Sequence, residues 1–443
     1  MKVKTQRSTS AIIFSKLKKP AIFIQLSIGL QLLLFSAAGN AQSTNDFHSV
    51  QVAYKDSAAM TTKKLSAGVD DYNNRLDMID IGTDILHDNI CGKRADTGVY
   101  KSKKLRISAG PSPEYSLATG YAMVVAGNAG FFIDTSASTS TIYNSITYTQ
   151  YNQVILPFET SLFTKNNNYN IIIDWCYYYY PSYTYGLGCF TTLSDGYIVT
   201  YSAYHIHQTV LRKVRHCMYA GLGYNLDYFN NISEQKKPDH LVTDFDKYGF
   251  AQKEFSSGIT CNFLYDTRPS PINSDKGDFV NIICAQNLRI LGNTNPWTSL
   301  VIDMRKYLRF PANSSNVIAF WSYDWLTLNG KPPYLMLPFN GGDAFSNTGR
   351  GYIQGRFRGR NMIDLESEYR MAISRNGLLG AVVFANAESF SEPVSGKLQG
   401  IAPGAGAGIR VKFNKFSNAN VALDYAFGLD GSHGVFVNLG EVF

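Results

Sequence analysis

The sequence predicts an all-β protein, a transmembrane antiparallel β-barrel of about sixteen strands. Three observations support this prediction. Short segments alternate between apolar and polar residues, and side chains alternate between the two faces of a strand. Residues 42–443 contain no apolar run of about eighteen residues, the length that a membrane-spanning helix requires. The aromatic fraction is 14%, with 29 Tyr and 27 Phe, and barrels carry aromatic girdles at both membrane interfaces.

Residues 1–41 predict a secretion signal peptide. A basic segment precedes an apolar stretch at 21–38, and Gly39 and Ala41 are small residues just before a predicted cleavage site. A retained membrane anchor is the alternative, because the apolar stretch approaches the length that spans a bilayer. No cysteine lies at the predicted cleavage site, so we expect no lipoprotein.

Residues 42–104 are polar and show little alternation, which predicts a periplasmic leader with one amphipathic helix near 74–87. The formal net charge is +7, and six basic residues of the signal supply most of it. Without a basic helix or a known motif, we expect no nucleic-acid partner. The six cysteines show no C-x-x-C spacing, and we interpret them as isolated strand or loop residues.

Residues 105–443 predict the barrel itself. An even number of strands suits a closed antiparallel barrel, because closure leaves no free strand edge. The sixteen candidate strands lie near 106–112, 120–133, 143–151, 154–164, 168–180, 196–208, 216–228, 256–268, 277–290, 297–310, 316–328, 363–373, 380–389, 403–413, 419–428 and 433–443.

The charges of the segment near 297–310 show which face meets lipid. Met304 shares one face with other apolar residues, whereas Asp303 and Arg305 share the opposite face. A Lys or Arg on the lipid face costs about 2–4 kcal/mol at the membrane midplane. Lys306 breaks the pattern, and we expect it near a membrane rim, where its charge reaches water.

Three motifs follow one another along the barrel region. They are Asp266-Thr267-Arg268 with Gly277, then Gly349-Arg350-Gly351-Tyr352, and last the terminal strands that include Gly440 and end at Phe443. Together these motifs resemble the BamA/TamA family of outer-membrane assembly barrels, also called bacterial surface antigens. Five predicted strands follow the second motif, and this order carries the resemblance, because a single tripeptide recurs by chance.

The resemblance implies that the sixth extracellular loop folds back into the barrel lumen. Arg350 is then the loop arginine, and Glu368 is its expected partner on the inner wall. Strand parity also places Glu368 in the lumen, and a confined arginine pairs bidentately with a carboxylate. Ordinary solvated lumen charges are the alternative interpretation. Other lumen candidates are Glu366, Arg370 and Asp424.

The sequence departs from the family pattern in two places. The family often carries F-x-D-x-G on the strand that follows the Glu368 strand, whereas this chain has Asn386 and Glu388 at the last two defined positions. We expect Asn386 to accept a hydrogen bond from Arg350 without supplying charge, so that either the loop is held more weakly or Glu366 or Asp424 supplies the charge. The segment 42–104 also lacks the β-α-α-β-β pattern of the POTRA modules that precede the family's barrels.

The resemblance implies a role in outer-membrane protein assembly or outer-membrane organisation in a Gram-negative bacterium. The expected partners are outer-membrane lipid, unfolded outer-membrane proteins and periplasmic accessory proteins. In the family, a weakly paired junction between the first and last strands admits an incoming strand. Gly434 and Gly440 either loosen the last strand or relieve crowding in a tilted wall. A passive channel or a structural surface barrel is the alternative function.

The sequence predicts no enzyme and no cofactor. It contains no G-x-S-x-G, H-E-x-x-H or Walker pattern. His205 and His207 share one strand face and could contact a metal, but no third ligand is near them in sequence. We therefore predict that they form a polar strand face and not a metal site.

Overall fold

The computed structural model describes residues 75–78, 105–235, 242–392, 396–415 and 418–443. The predicted signal peptide, and all of the predicted leader except 75–78, lie outside these residues. One sheet contains all seventeen strands. They are β1 Arg106–Ser116, β2 Gly120–Phe131, β3 Ser140–Thr149, β4 Val154–Phe163, β5 Tyr169–Tyr179, β6 Ser182–Thr184, β7 Tyr197–Arg215, β8 Met218–Gln235, β9 Lys253–Asp266, β10 Gly277–Asn287, β11 Trp297–Arg309, β12 Val317–Gly330, β13 Asn361–Ala372, β14 Leu379–Ser391, β15 Leu398–Asn414, β16 Ala419–Phe427 and β17 His433–Leu439.

Each strand pairs antiparallel with the strands next to it in the chain, except that one position of the wall is shared by two strands, β5 and β6. Both β5 and β6 pair with β7, one after the other along its length. Pro181 lies between them and has no N–H to donate to the ladder. Because β5 and β6 occupy one position, seventeen strands form sixteen wall positions, which agrees with the predicted count. One short helix, α1 (Asp244–Gly249), lies between β8 and β9.

The wall separates an apolar outer face from a polar inner face. In β2, Tyr121 and Met123 are 73% and 55% exposed, while Ala122 and Val124, which alternate with them on the opposite face, are buried. In β11, the charged residues Asp303 and Arg305 are buried and Met304 points outward. Lys306, the predicted exception, is exposed and donates to Asp278 at 2.6 Å. No helix among the described residues is long and apolar enough to cross a membrane.

The segment 331–360 between β12 and β13, here called the long loop, fills much of the interior. Its residues Tyr334 and Leu337 are buried in one apolar cluster with Val199 and Phe229 of the wall. The α1 residue Phe245 stacks on Tyr334, with ring centroids 4.2 Å apart. The core of this barrel is therefore formed between the wall and a loop folded inside it.

The chain end departs from the sequence-based prediction. The last strand was expected to extend to Phe443, but β17 ends at Leu439. Gly440 has a φ of +110°, which interrupts the alternation and turns the chain inward. Residues 440–443, here called the C-terminal segment, then enter the lumen, where the Phe443 ring lies 5.1 Å from the Trp321 ring. The prediction failed because strand parity assumes that the backbone remains extended.

The junction between β1 and β17 differs from the other contacts around the wall. Every other neighbouring pair among the described strands is joined by a ladder, including the short ladder of seven residue pairs between β16 and β17. The Cα atoms of β1 and β17 approach within 8 Å, yet among the described residues no ladder joins these two strands. The Leu117 side chain instead occupies the space where a Gly434 side chain would lie. Gly434 thus accommodates a close approach at the junction.

The described part of the leader contacts the turns at one end of the wall. Leu76 N donates to Asn376 O at 3.1 Å, and Lys415 N donates to Asp77 Oδ2 at 2.9 Å. These contacts connect the leader to the β13–β14 and β15–β16 turns. Most of the predicted helix at 74–87 lies outside the described residues.

Candidate functional site

The tip of the long loop, Gly349–Tyr352, lies in the lumen against the inner wall. Gly349 and Gly351 have φ values of +74° and +113°, a region that L side chains rarely adopt. A Cβ at Gly349 would collide with the Glu388 carboxylate, and one at Gly351 would lie 2.7 Å from Phe427 O. Both glycines are therefore needed to place Arg350 against the wall.

Arg350 is 1% exposed and binds three carboxylates. Its Nε donates to Glu366 Oε1 at 2.6 Å, and Nη2 donates to the same oxygen and to Glu368 Oε2 at 2.7 Å. Nη1 donates to Asp424 Oδ2 at 2.8 Å. The guanidinium carbon lies 3.6 Å from the Phe384 ring centroid. Arg350 thus connects the loop to β13, β14 and β16.

The ion pairs around Arg350 continue to the C-terminal segment. Arg370 donates to Glu368 at 2.5 Å, and Arg410 donates to Asp424 at 2.5 Å and to Glu441 at 2.7 Å. Arg370 Nη2 also donates to the backbone oxygen of Phe443 at 2.6 Å. Positive and negative groups alternate through this inner network, which we define as Arg350, Arg370, Arg410, Glu366, Glu368, Asp424 and Glu441.

Tyr352 holds the other side of the loop tip. Its hydroxyl donates to Pro403 O at 2.6 Å and accepts from Leu429 N at 2.9 Å. Burial raises the pKa of Tyr352 to about 12, so the hydroxyl keeps the proton that it donates. Ser432 Oγ also donates to Gly351 O at 2.7 Å. The tip is therefore attached to β15 and to the β16–β17 turn.

Asp343 forms a tight turn within the long loop. Its Oδ1 accepts from the backbone N–H groups of Asn347 and Thr348, both at 2.8 Å. Burial raises the pKa of Asp343, and the backbone donors act in the opposite direction. The turn presents Gly349 and Arg350 to the wall immediately afterwards.

Asn386 occupies a different role from the predicted one. It was expected to accept a hydrogen bond from Arg350, but its Nδ2 donates to the Arg350 backbone oxygen at 2.7 Å. The expectation was wrong because three carboxylates already bind the guanidinium, leaving the main-chain oxygen as the available group. Glu366 and Asp424 supply the charge in place of an aspartate at this position.

Asp364 and Glu388 form a buried acidic pair that the sequence analysis missed. They are register partners on β13 and β14, both are 0% exposed, and neither side chain has a hydrogen-bond partner in the part of the chain that the structure describes. Their lumen-facing parity was readable from the sequence, but the register that brings them together was not. Glu388 stands where the family pattern has glycine.

We expect Glu388→Gln to stabilise the barrel, because the Gln amide can donate to the Asp364 carboxyl group. An intramolecular hydrogen bond contributes about 0.5–1.5 kcal/mol. Urea unfolding in detergent should show a higher midpoint for this variant. Glu392→Gln, at the rim beyond β14, serves as the matched control. An unchanged or lower midpoint for Glu388→Gln would contradict the expected relief.

The predicted hairpin motif forms its own local structure, apart from Arg350. Arg268 donates to both oxygens of Asp266 at 3.0 and 2.9 Å, and its guanidinium carbon lies 4.2 Å from the Phe279 ring centroid. Gly277 has a φ of +104° beside Thr267 O. In the same hairpin, Ile272 O accepts a hydrogen bond from Glu441 N of the C-terminal segment at 3.1 Å.

The same short arrangement recurs on β11, where the sequence analysis did not identify it. Arg305 donates to both oxygens of Asp303 at 2.9 and 2.7 Å. Trp321 Nε1 donates to Asp303 Oδ1 at 2.9 Å. The repeated D-x-R spacing was the signal that could have revealed it, since both side chains of such a pair point to one face.

Comparisons with known proteins agree with this architecture. The family model described as the Omp85 superfamily domain matches residues 177–440, more than half of the chain. No curated protein matches the sequence. The crystal structure of BamA from Haemophilus ducreyi lacking POTRA domains 1-3 is 14% identical, with a TM-score of 0.51, and the match covers 76% of this chain and 68% of that one.

CdiB from Escherichia coli has the same kind of likeness. It is 10% identical, with a TM-score of 0.50, and the match covers 77% of this chain. This chain spans 63% of that CdiB structure, less than two thirds of its length. At these identities the structural likeness shows the fold alone.

Proposed function

This chain belongs to the Omp85 superfamily, which confirms the resemblance drawn from its motifs, and from this premise we propose that it assembles other proteins into the outer membrane. Omp85 superfamily barrels are outer-membrane proteins of Gram-negative bacteria. The proposed clients are unfolded outer-membrane β-barrel proteins. The proposed route is the junction between β1 and β17, and the proposal assigns no catalytic chemistry to the barrel.

The unpaired junction is the observation that carries this proposal. Among the described residues, all the other wall positions are joined by antiparallel ladders, whereas β1 and β17 share no ladder, and Leu117, just after β1, packs over Gly434 of β17. A strand edge that no ladder covers can offer N–H and C=O groups to another strand. An incoming client strand can pair with these groups by β-augmentation, which supplies main-chain hydrogen bonds without requiring a particular client sequence.

The filled interior of the barrel favours a function in protein assembly over a function as a passive channel. The long loop and the C-terminal segment both enter the lumen, and both contribute buried residues to one apolar cluster with the wall. Tyr352 and Phe357 come from the loop, and Phe443 comes from the chain end. A barrel that serves as an open pore needs a water-filled lumen, and this lumen is occupied by packed side chains.

A disulfide across the junction tests the proposal. A Cβ at Gly434 would lie 2.9 Å from Leu117 Cγ, which is the position that the cysteine sulfur takes in Leu117→Cys. Leu117→Cys with Gly434→Cys therefore places the two side chains close enough to form a disulfide. The exposed or half-buried thiols Cys261 and Cys284 are changed to Ser in every protein. The barrel is placed in liposomes, and the folding rate of an unfolded outer-membrane client is followed by its gel mobility.

We expect the reduced double variant to accelerate client folding and the oxidised one to resemble empty liposomes. The matched control is Ile409→Cys with Leu423→Cys, two register partners inside the β15–β16 ladder, and its oxidised form should remain active. Equal activity of the oxidised junction variant would exclude the junction as the route. No acceleration by any form, together with ion conductance, would favour a passive channel.

A further inference from the structure

His205, His207 and Asp227 form a compact cluster on the inner face of the wall. His205 Nδ1 lies 2.5 Å from Asp227 Oδ1, and His207 Nε2 lies 2.8 Å from the same oxygen. The sequence predicts an ordinary polar face here, because no third ligand is near the two histidines in the chain. The β7–β8 register makes Asp227 the partner of His205 across the ladder, so folding brings the third group to the pair.

The cluster is open to the lumen and its rings are held in place. The side chains of His205, His207 and Asp227 are 27%, 31% and 19% exposed. Tyr178 and Phe229 pack edge-on against the His205 ring, with centroids 5.2 and 5.4 Å away. The three donor groups therefore remain accessible, while packing restricts the movement of one of the imidazoles.

A fourth potential ligand faces the same place. Asp174 on β5 is the register partner of His207, on the side opposite β8. Residues that are directly opposite in a ladder point to the same face of the sheet, so Asp174 shares the inner face with the cluster. It is exposed, and an exposed carboxylate can reorient toward a cation at little cost.

We propose that His205, His207 and Asp227 bind one divalent transition-metal ion of the Zn²⁺ class from the lumen, with Asp174 or water completing the coordination. Two imidazole nitrogens and a carboxylate oxygen match the ligand types that Zn²⁺ takes in proteins. One ligand atom from each residue lies within 4.8 Å of the others. Carboxylates alone would suit harder cations such as Ca²⁺ or Mg²⁺, whereas two imidazoles favour Zn²⁺.

Metal binding requires only a proton shift and a small widening of the cluster. His205 would bind through Nδ1 and keep its proton on Nε2, while His207 would bind through Nε2 and keep its proton on Nδ1. Each imidazole would then bind the ion in its neutral form, and the ion would replace the two hydrogen bonds now made to Asp227. The bound ion would cross-link β7 to β8, and through Asp174 also to β5.

Zinc binding by the purified barrel tests the site. The barrel is prepared in detergent without a polyhistidine tag and stripped of metal, and Zn²⁺ is titrated against a chromophoric chelator. We expect one ion per barrel. His207→Ala and Asp227→Asn should each weaken binding by more than about 100-fold, since even residues that only support a metal ligand contribute up to that factor. His433→Ala, which alters an exposed imidazole bonded to Gly431 O, should leave binding unchanged.

Co²⁺ binding to the unmodified barrel gives a second measurement, which does not require any variant to fold. Co²⁺ bound to nitrogen and oxygen ligands should show visible absorption bands in the unmodified barrel, and added Zn²⁺ should remove them. Heat-dependent gel mobility checks that each variant is folded. The proposal is overturned if the unmodified barrel shows no saturable Zn²⁺ binding, or if folded His207→Ala and Asp227→Asn bind as tightly as the unmodified barrel.

Discussion

Replacing Arg350 with Ala is expected to detach the long loop from the wall and to destabilise the barrel by about 3–5 kcal/mol, the usual cost of removing one partner from a buried ion pair. The loss is large because Glu366, Glu368 and Asp424 would be left together without the cation that now binds all three. Each of these carboxylates is at most 1% exposed at its side chain, so water cannot replace the guanidinium.

Two measurements test this expectation. The temperature at which the folded form disappears on gels should fall, and limited proteolysis should cleave within 331–360. Arg350→Lys should give an intermediate result, because an ammonium group cannot reach three carboxylates with the geometry of a guanidinium. Arg289→Ala, an exposed arginine between β10 and β11, is the matched control. Normal stability and an uncleaved loop in Arg350→Ala would show that other contacts hold the loop.

Replacing Phe443 with Ala is the second change with a large expected effect. The ring is 3% exposed and packs near Trp321 and Tyr307, with centroids 5.1 and 6.4 Å away. Removing a buried phenylalanine ring costs about 3–5 kcal/mol. The Arg370 guanidinium carbon also lies 5.6 Å from this ring centroid, so the change should weaken the end of the inner network.

Urea unfolding in detergent measures this effect directly. Phe427→Ala provides the matched control, since this phenylalanine is 58% exposed on the outer face at the end of β16. We expect a clear drop in the unfolding midpoint for Phe443→Ala and a small change for Phe427→Ala. The reverse order would mean that the chain end contributes to the outer surface and not to the interior.

The sequence was sufficient to predict the wall because alternate residues of each strand face lipid on one side and the polar lumen on the other. Every predicted strand corresponds to one of the sixteen wall positions. The contrast is visible in single strands, as in β11, where Asp303 and Arg305 are buried and Met304 is exposed. Periodicity of this kind requires no knowledge of which strands are neighbours.

Features that depend on register or on backbone turns could not be predicted in this way. The Asp364–Glu388 pair and the approach of Asp227 to His205 arise from strands aligned across a ladder, and no local pattern specifies that alignment. The inward turn at Gly440 depends on a φ of +110°, which glycine permits but does not require. The position of Arg350 came from the family resemblance, and parity supplied only its possible acidic partners.

The uneven distribution of interior contacts gives the wall an uneven stiffness. Arg350, Asn386, Arg410 and the C-terminal segment connect β13, β14, β15 and β16 to one another across the lumen. By contrast, among the described residues none of the four apolar clusters includes a residue of β1–β4. We therefore expect bending of the wall to concentrate in β1–β4, whereas the interior contacts restrain β13–β16.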